Sequence, residues 1–266
     1  MYSRWVSSPY NLELYHFGIL GMKWGVRRFQ NKDGTLTKAG KERKKYFKEH
    51  GDDYVLSAGS KAYRIAGEKE SYSDHKRKYM YVTPSDQAAY EELVYDMGGL
   101  IAQTSRNYGT YINEAKKDVL VKNGEQVLKD IIDKYGDDGL HESLARVLAL
   151  QKEFPSQDAR TKYYEESISW LDKKGNVIEE AYKRDMQRSK DENHLEAVKE
   201  KVWDVMENHQ DEVLADYKKK GYDAIVDPYD FVANVADMPL IVLDPAETIK
   251  NLDYVSRPGA DDDDDW

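Results

Sequence analysis

The sequence predicts an α+β protein, and two separated parts of the chain carry that prediction. Residues 59–90 favour a strand that ends at Tyr63 and Arg64, a polar loop and a second strand at residues 79–82. Far along the chain, residues 221–249 hold two short apolar runs bounded by Pro and Asp, which is typical of strands. Helical spacing dominates between these parts, so we expect a sheet built from remote strands with helices around it.

Apolar residues at helical spacing predict the main helices. A basic helix is expected from Thr37 to Gly51, and glycines 136 and 221 are expected to end two later helices. The predicted helices with an apolar face are residues 85–101, 127–135, 140–148 and 195–217. Two smaller features are a strand at residues 116–122 and a hairpin that turns at Lys174 and Gly175.

The composition predicts a soluble protein from a reducing compartment. Hydrophobic residues make up 40% of the 266, which is enough for a core, and 21 of them are tyrosines. There is no cysteine, so disulfides, thiolate zinc sites and cysteine nucleophiles are excluded. No apolar run approaches the ~20 residues of a membrane span, and the first residues lack the pattern of a secretory signal. Neither a membrane partner nor a metal is expected.

The charge is unevenly distributed, which predicts terminal segments that act on partners. The net charge is −10, and residues 261–265 are five consecutive aspartates. Residues 23–48 contain ten Lys or Arg against Asp33 and Glu42, a local excess of +8. We therefore predict an N-terminal arm at 1–52, an α+β domain at 53–256 and a disordered acidic tail at 257–266. The aromatic and basic residues of the arm suit either docking on a protein or stacking on nucleic acid.

Part of this arm resembles a known sequence box. Residues 16–41 read HFGILGMKWGVRRFQNKDGTLTKAGK. This segment resembles the GMKWGVRR box at the start of many bacteriophage and prophage proteins that are encoded among head and capsid genes. The resemblance implies capsid or head proteins as partners of residues 16–41, and a location in the bacterial host cytoplasm or the virion.

Three further pieces resemble ADP-ribosyltransferases, which hold NAD in a cleft between two half-sheets. Tyr63-Arg64 is similar to the first motif of that family, an aromatic residue and an arginine at a strand end. Residues 81–90 are similar to the second motif, a strand with hydroxyl groups that brace the site. The late segments GYDAIVD and PLIVLDPAETIK resemble the C-terminal strands of phage-borne and toxin-borne members. The implied fold is a split β-sheet with surrounding helices.

This resemblance implies NAD as substrate and mono-ADP-ribosylation of a host protein. It assigns cofactor binding to one set of residues: Tyr63, Arg64, Thr83, Ser85 and Tyr90. Family members place a glutamate on the late strand, whereas residues 238–242 read MPLIV. An aspartate would therefore have to stabilise the oxocarbenium-like transition state, so the catalytic candidates are Arg64, Asp227 and Asp223. The alternative is a non-enzymatic virion or head-associated protein that keeps the fold as an interaction module.

Structural explanations exist for the same residues. Thr83, Pro84 and Asp86 form a possible N-cap, N1 and N3 set at a helix start. Arg64 could form an ordinary ion pair, and Asp227 and Asp230 could shape the turn around Pro228. The histidines lack partners at metal-ligand spacing, and no P-loop, Gly-x-Gly-x-x-Gly, His-Glu-x-x-His or Gly-x-Ser-x-Gly pattern occurs.

Overall fold

The computed structural model describes residues 47–66, 78–84, 107–154, 157–233 and 239–258. These residues form one mixed sheet with helices around it, which confirms the predicted α+β class. The strands are β1 (Phe47–His50), β2 (Asp53–Leu56), β3 (Lys61–Ala66), β4 (Met80–Pro84), β5 (Asn107–Ala115), β6 (Val119–Lys122), β7 (Ala224–Val226), β8 (Leu240–Val242) and β9 (Ile249–Pro258). The helices are α1 (Gly124–Tyr135), α2 (Asp138–Glu153), α3 (Gln157–Glu165), α4 (Glu179–Asn208), α5 (Gln210–Lys219), α6 (Pro228–Ala233) and α7 (Pro245–Thr248).

The nine strands lie in the order β1-β2-β6-β7-β8-β4-β3-β5-β9. Strands β6 and β7 are parallel, and the other neighbouring pairs of this sheet are antiparallel. Five helices, α1 to α5, lie between β6 and β7 in the chain, as the crossover between parallel strands requires. The early strands β3 and β4 therefore meet the late strands β7 and β8 near the middle of the sheet.

The two faces of the sheet bury different cores. One, the helix-side core, joins α1, α2, α4 and α5 to Ile225 and Ile241. The other, the strand-side core, is built from strand residues that include Ala62, Val226 and Leu240. Because side chains alternate along a strand, β7 and β8 contribute to both cores, and every residue in them is buried. Burial on both faces explains their continuous apolar sequences, AIV and LIV.

The predicted end of one helix at Gly136 is confirmed, and the starts of α1 and α2 have side-chain caps. Asn123 begins α1 by accepting a hydrogen bond from the Glu125 amide at 2.7 Å, and Gly136 follows its last residue. Asp137 caps α2 in the same way through the amide of Leu140, at 2.9 Å. The predicted hairpin is also present, with a bridge between Leu171 and Val177.

Two predicted helices are wrong in part. The basic run was expected to remain helical up to Gly51, but residues 47–50 form β1, where Phe47 packs edge-on against Tyr54 of β2. Pairing with β2 overrides the helical composition, and Gly51 adopts φ +62° in the connecting turn. The predicted helix at 195–217 is two helices that join at His209. Its apolar stripe continues across the break because Val213 and Tyr217 of α5 face the same core.

The second strand is longer than predicted. It continues to Pro84, which pairs with Ala62 of β3, so Pro84 is not the first residue of a helix. The sequence also missed α3, β2 and the two neighbouring strands at one end of the sheet, β5 and β9. The predicted helix at 85–101 and the tail after residue 258 lie outside the described residues.

Candidate functional site

The predicted site residues lie around the middle of the sheet, where β7, β8, β4 and β3 are neighbours. Tyr63 of β3 pairs with Thr83 of β4. On the other side of β4, Val82 pairs with Leu240 of β8, and Leu240 pairs with Val226 of β7. The first and second sequence pieces are thus adjacent strands, and the late piece supplies β8, which lies directly beside β4, and β7 beyond it.

A polar cluster forms on the helix side of this region around Tyr81. The Gln210 side chain of α5 donates a hydrogen bond to the Tyr81 hydroxyl at 2.7 Å. Asp227 and Asp230 lie close by and are only 3% and 2% exposed. Burial, together with the negative charges of both aspartates, raises the pKa of Tyr81 well above its ordinary value. Tyr81 is therefore a neutral hydroxyl at any physiological pH.

Asp227 organises the chain directly after β7. Its backbone N–H donates to the Pro239 carbonyl at 2.9 Å, which extends the β7–β8 ladder by one bond. Its carboxylate accepts the amides of Tyr229 at 2.9 Å and Asp230 at 3.4 Å, at the start of α6. Asp227 therefore acts as the N-cap of α6, with Pro228 at the first helical position.

Asp223 lies at the opposite end of β7, about 13 Å along the strand from Asp227. One carboxylate oxygen forms an ion pair with Lys117 at 2.7 Å, and the other accepts the Leu120 amide at 3.0 Å. The Asp223 amide in turn donates to the Leu120 carbonyl at 3.0 Å. These contacts fasten β7 to β6, so the structure does not bring Asp223 and Asp227 to one place.

Arg64 and Asp227 belong to different faces of the sheet. Arg64 pairs with Tyr111 of β5 and lies two residues after Ala62, so its side chain is on the strand-side face. Asp227 lies two residues after Ile225, whose side chain is in the helix-side core. In the register of β3, β4, β8 and β7, the two residues are also three strands apart, or about 14 Å.

The face that carries Arg64 includes residues that sequence reasoning missed. Tyr111 of β5 is 1% exposed and packs against Tyr254 of β9, with ring centroids 4.6 Å apart. Asn113 of β5 is fully buried, and its side-chain oxygen accepts a long hydrogen bond of 3.5 Å from Asn251. Tyr111 and Asn113 are two positions apart in a run that contains β-branched and aromatic residues, and this spacing is the sequence signal that could have identified the strand.

The described residues set limits on what the site can hold. Tyr63 is 2% exposed, so its ring is part of the interior, while Arg64 and Thr83 are half-buried. The other two predicted NAD contacts, Ser85 and Tyr90, lie outside the described residues. Among the described residues, no group of three or more acidic or histidine side chains is placed to hold a metal ion. The same part of the chain contains no helix that is both long and apolar enough to cross a membrane.

Comparison with known proteins gave one match. Residues 7–31 match a family of unknown function (DUF7211), and this range includes the GMKWGVRR box. The match covers 25 of 266 residues and lies before the first described strand. Neither the curated proteins nor the solved structures contain a chain that matches.

Proposed function

We propose that this is a phage-encoded, virion or head-associated protein whose α+β domain works by binding and not by catalysis. The domain would keep an ADP-ribosyltransferase-like arrangement as an interaction module. Residues 16–41 would dock on capsid or head proteins, in the host cytoplasm or in the virion. The sequence resemblance of the box supports the partner, and the geometry of the sheet supports the absence of transfer chemistry.

The proposal depends on one observation: the carboxylates of both candidate residues, Asp223 and Asp227, bind other groups of the protein itself. A transferase without the family glutamate needs an aspartate that faces the NAD ribose and Arg64 together. Asp223 instead binds Lys117 and the Leu120 amide, and Asp227 caps α6. Freeing either carboxylate would break contacts that hold β6, β7 and α6 in place, so both are better explained as structural residues.

Virion association tests the docking part of the proposal. The full chain and a chain without residues 1–41 would be expressed during phage assembly, and purified virions would be examined for each. The truncation ends before β1, so all described elements remain. We expect the full chain to co-purify with virions and the shortened chain to be lost. Equal recovery of both would overturn docking through residues 16–41.

NAD titration tests the absence of catalysis. We expect no heat in calorimetry at millimolar NAD and no release of nicotinamide in the presence of host lysate. Binding or release that disappears in Arg64→Ala would overturn the binding-only proposal. Circular dichroism should show that the Arg64→Ala variant is folded, because Arg64 lies on an internal strand of the sheet.

One observation favours the second candidate, an NAD-dependent mono-ADP-ribosyltransferase. Tyr63 pairs with Thr83, so the first and second motif-like pieces lie side by side in the sheet. In that case Arg64 would hold a phosphate or the nicotinamide ribose. Asp227 would stabilise the developing positive charge, since Asp223 is at the far end of β7.

A matched pair of variants separates this candidate from the first. Asparagine can replace aspartate as a helix N-cap, so Asp227→Asn should keep α6 while it removes the charge. If transfer occurs, Asp227→Asn should abolish nicotinamide release and Asp223→Asn should leave it in place. Loss of activity in both variants, with the fold intact, would contradict the assignment of Asp227.

A further inference from the structure

Exposed apolar side chains are concentrated in one stretch of the described chain. Among the described residues six large apolar side chains are exposed, and five of them lie between positions 171 and 186: Leu171, Val177, Ile178, Tyr182 and Met186. Their exposed fractions range from 39% to 54%. The sixth, Leu252, lies on the edge strand β9. A concentration of exposed apolar residues beside charged ones is typical of a protein-binding surface.

The first part of this stretch is a well-defined hairpin. Leu171 and Val177 face each other across its bridge, and the Ile178 amide donates to the Trp170 carbonyl at 2.7 Å. Asp172 fixes the turn, since its carboxylate accepts the amides of Lys174 at 2.7 Å and Asn176 at 2.9 Å. Gly175 adopts φ +84°, which favours glycine at this position of the turn. The hairpin is therefore formed before any partner binds.

The second part is the beginning of α4, which projects beyond the core. Tyr182 and Met186 are one turn apart and share a side of the helix. The Tyr182 ring packs edge-on against Trp170, with centroids 5.5 Å apart, and thereby joins hairpin and helix. The first buried residue of this 30-residue helix is Asp191. The first three turns of α4 thus carry two exposed apolar side chains, Tyr182 and Met186, each 39% exposed.

The charges around these apolar residues are of both signs, and Lys183 of α4 lies 3.6 Å from Glu179 and 3.8 Å from Glu180. The hairpin turn presents Lys173 and Lys174, and the start of α4 presents Glu179 and Glu180, all four exposed. Over residues 165–190 acidic and basic side chains are equal in number, six of each: Glu165, Glu166, Asp172, Glu179, Glu180 and Asp185 against Lys173, Lys174, Lys183, Arg184, Arg188 and Lys190. This stretch is neutral in a chain with a net charge of −10.

From this arrangement we infer that residues 165–190 form a homodimer interface, and that its occupant is a second copy of the same chain. A two-fold axis brings the same patch of both subunits together, so the patch must complement itself. The basic turn of one subunit would face the acidic helix start of the other, around an apolar centre. A nucleic-acid or acidic-protein partner would instead favour a patch of one sign.

Sedimentation equilibrium on the full chain tests the inference. We expect the mass to rise with concentration from 30.8 kDa to twice that value. Val177→Glu should weaken the dimer by about tenfold or more, because it buries a charge in the apolar centre. Leu252→Glu is the matched control, since it adds the same charge to an exposed apolar site on β9, and it should leave the dimer unchanged. A wild-type mass of 30.8 kDa at every concentration would overturn the dimer.

Charge-reversal variants test whether the hairpin turn of one subunit contacts the start of α4 in the other subunit. The variant Lys173→Glu/Lys174→Glu and the variant Glu179→Lys/Glu180→Lys should each be monomeric, because like charges then meet across the axis. An equimolar mixture of the two variants should form a heterodimer, since both contacts regain opposite charges. Thermal unfolding of each variant separates loss of association from loss of the fold, which matters because Glu179 and Glu180 also favour the N-terminus of α4. If the mixture stays monomeric while both variants are folded, the proposed interface is wrong.

Discussion

Asp191 shows how a buried charge is made acceptable in this fold. It is fully buried on α4 and accepts hydrogen bonds from Arg146 Nε and Nη2, both at 2.6 Å, from Gln187 at 2.9 Å and from the Tyr163 hydroxyl. Arg146 belongs to α2 and Tyr163 to α3, so one carboxylate ties three helices together. Paired in this way, the charge fixes how the helices pack.

Removing this carboxylate should destabilise the protein strongly. We expect Asp191→Ala to lower the free energy of unfolding by about 3 kcal/mol, the low end for a broken buried pair, because the Arg146 side chain is 34% exposed. Urea unfolding followed by circular dichroism measures the change. Glu192→Ala is the control, since the Glu192 side chain is half exposed and lies 3.6 Å from Arg188. This substitution should lower the free energy of unfolding by less than about 0.5 kcal/mol. Equal losses would contradict the assigned role of Asp191.

The same carboxylate should contribute to acid sensitivity. Burial alone would raise the pKa of Asp191, but the hydrogen bonds from Arg146, Tyr163 and Gln187 outweigh it and lower the pKa below 3.8. A lowered folded-state pKa gives stability that is present above about pH 3.8 and is lost as the pH falls through the folded value. Asp191→Asn should therefore show a smaller loss of stability below pH 4 than the wild type in unfolding measurements across acid pH.

His141 should titrate in the opposite direction. Its ring bonds the Asp137 carbonyl at 2.7 Å and the Asp133 carboxylate at 3.0 Å, and both contacts raise its pKa above 6.5. The stability it contributes is complete below about pH 6.5 and disappears as the pH rises through the folded value. NMR titration of the ring should show the raised pKa, and Asp133→Asn should lower it. Glu49→Gln, an exposed change on β1, should leave the His141 curve where it was.

At the scale of single elements, the neighbouring strands β5 and β9 approach each other closely at Gly109. A Cβ atom on Gly109 would lie 2.3 Å from Cζ of Tyr254, whose ring rests against Tyr111. Gly109→Ala should therefore displace the Tyr254 ring and cost about 1–2 kcal/mol of stability by overpacking. In a Tyr254→Ala background the same change should cost almost no stability. Urea unfolding of the wild type, the two single variants and the double variant measures the coupling free energy between Gly109 and Tyr254. Additive effects would show that the ring and the glycine are independent.

Elements with a clear period were predictable, and elements stabilised by remote partners were not. The core strands β7 and β8 stand out as short apolar runs, and α1 has both its periodic face and its terminal glycine. Strand β1 has a helix-like composition, and only its pairing with β2 makes it a strand. The break between α4 and α5 at His209 was invisible because the apolar stripe continues through it. Half of the residues of β9 are polar, and its nine paired positions with β5 cannot be recognised from the β9 sequence alone.

The candidate site shows the same limit. The sequence located the strands that carry Tyr63 and Thr83 and the strand that precedes Asp227, because these are local patterns of hydroxyl, aromatic and acidic residues next to apolar runs. It could not tell which face of the sheet each side chain occupies, since that depends on the register between β3, β4, β8 and β7. The sequence alone therefore predicts Arg64 and Asp227 as partners, whereas the strand register places them on different faces of the sheet.

At the scale of the whole molecule, one pair of strands connects both cores. Leu240 and Ile241 are adjacent on β8 and point into the strand-side and helix-side cores respectively. Each change to alanine should cost about 2–5 kcal/mol, and each should shift a single unfolding transition because the shared strands couple the cores. Far-ultraviolet circular dichroism and tryptophan fluorescence should give coincident curves in urea. Leu252→Ala, 40% exposed, should change little, and two separate transitions would show that the cores unfold independently.

The parallel contact between β6 and β7 has a consequence for synthesis of the chain. Val121 pairs with Ala224, so about a hundred residues must leave the ribosome before this contact can form. At about 5–20 residues per second, the early strands wait some 5–20 seconds with an open edge. The helices α1 to α5 emerge during that interval and can pack on one another first. The nascent chain should therefore assemble its helical layer early and close its sheet last, and a chaperone that shields strand edges would act in that interval.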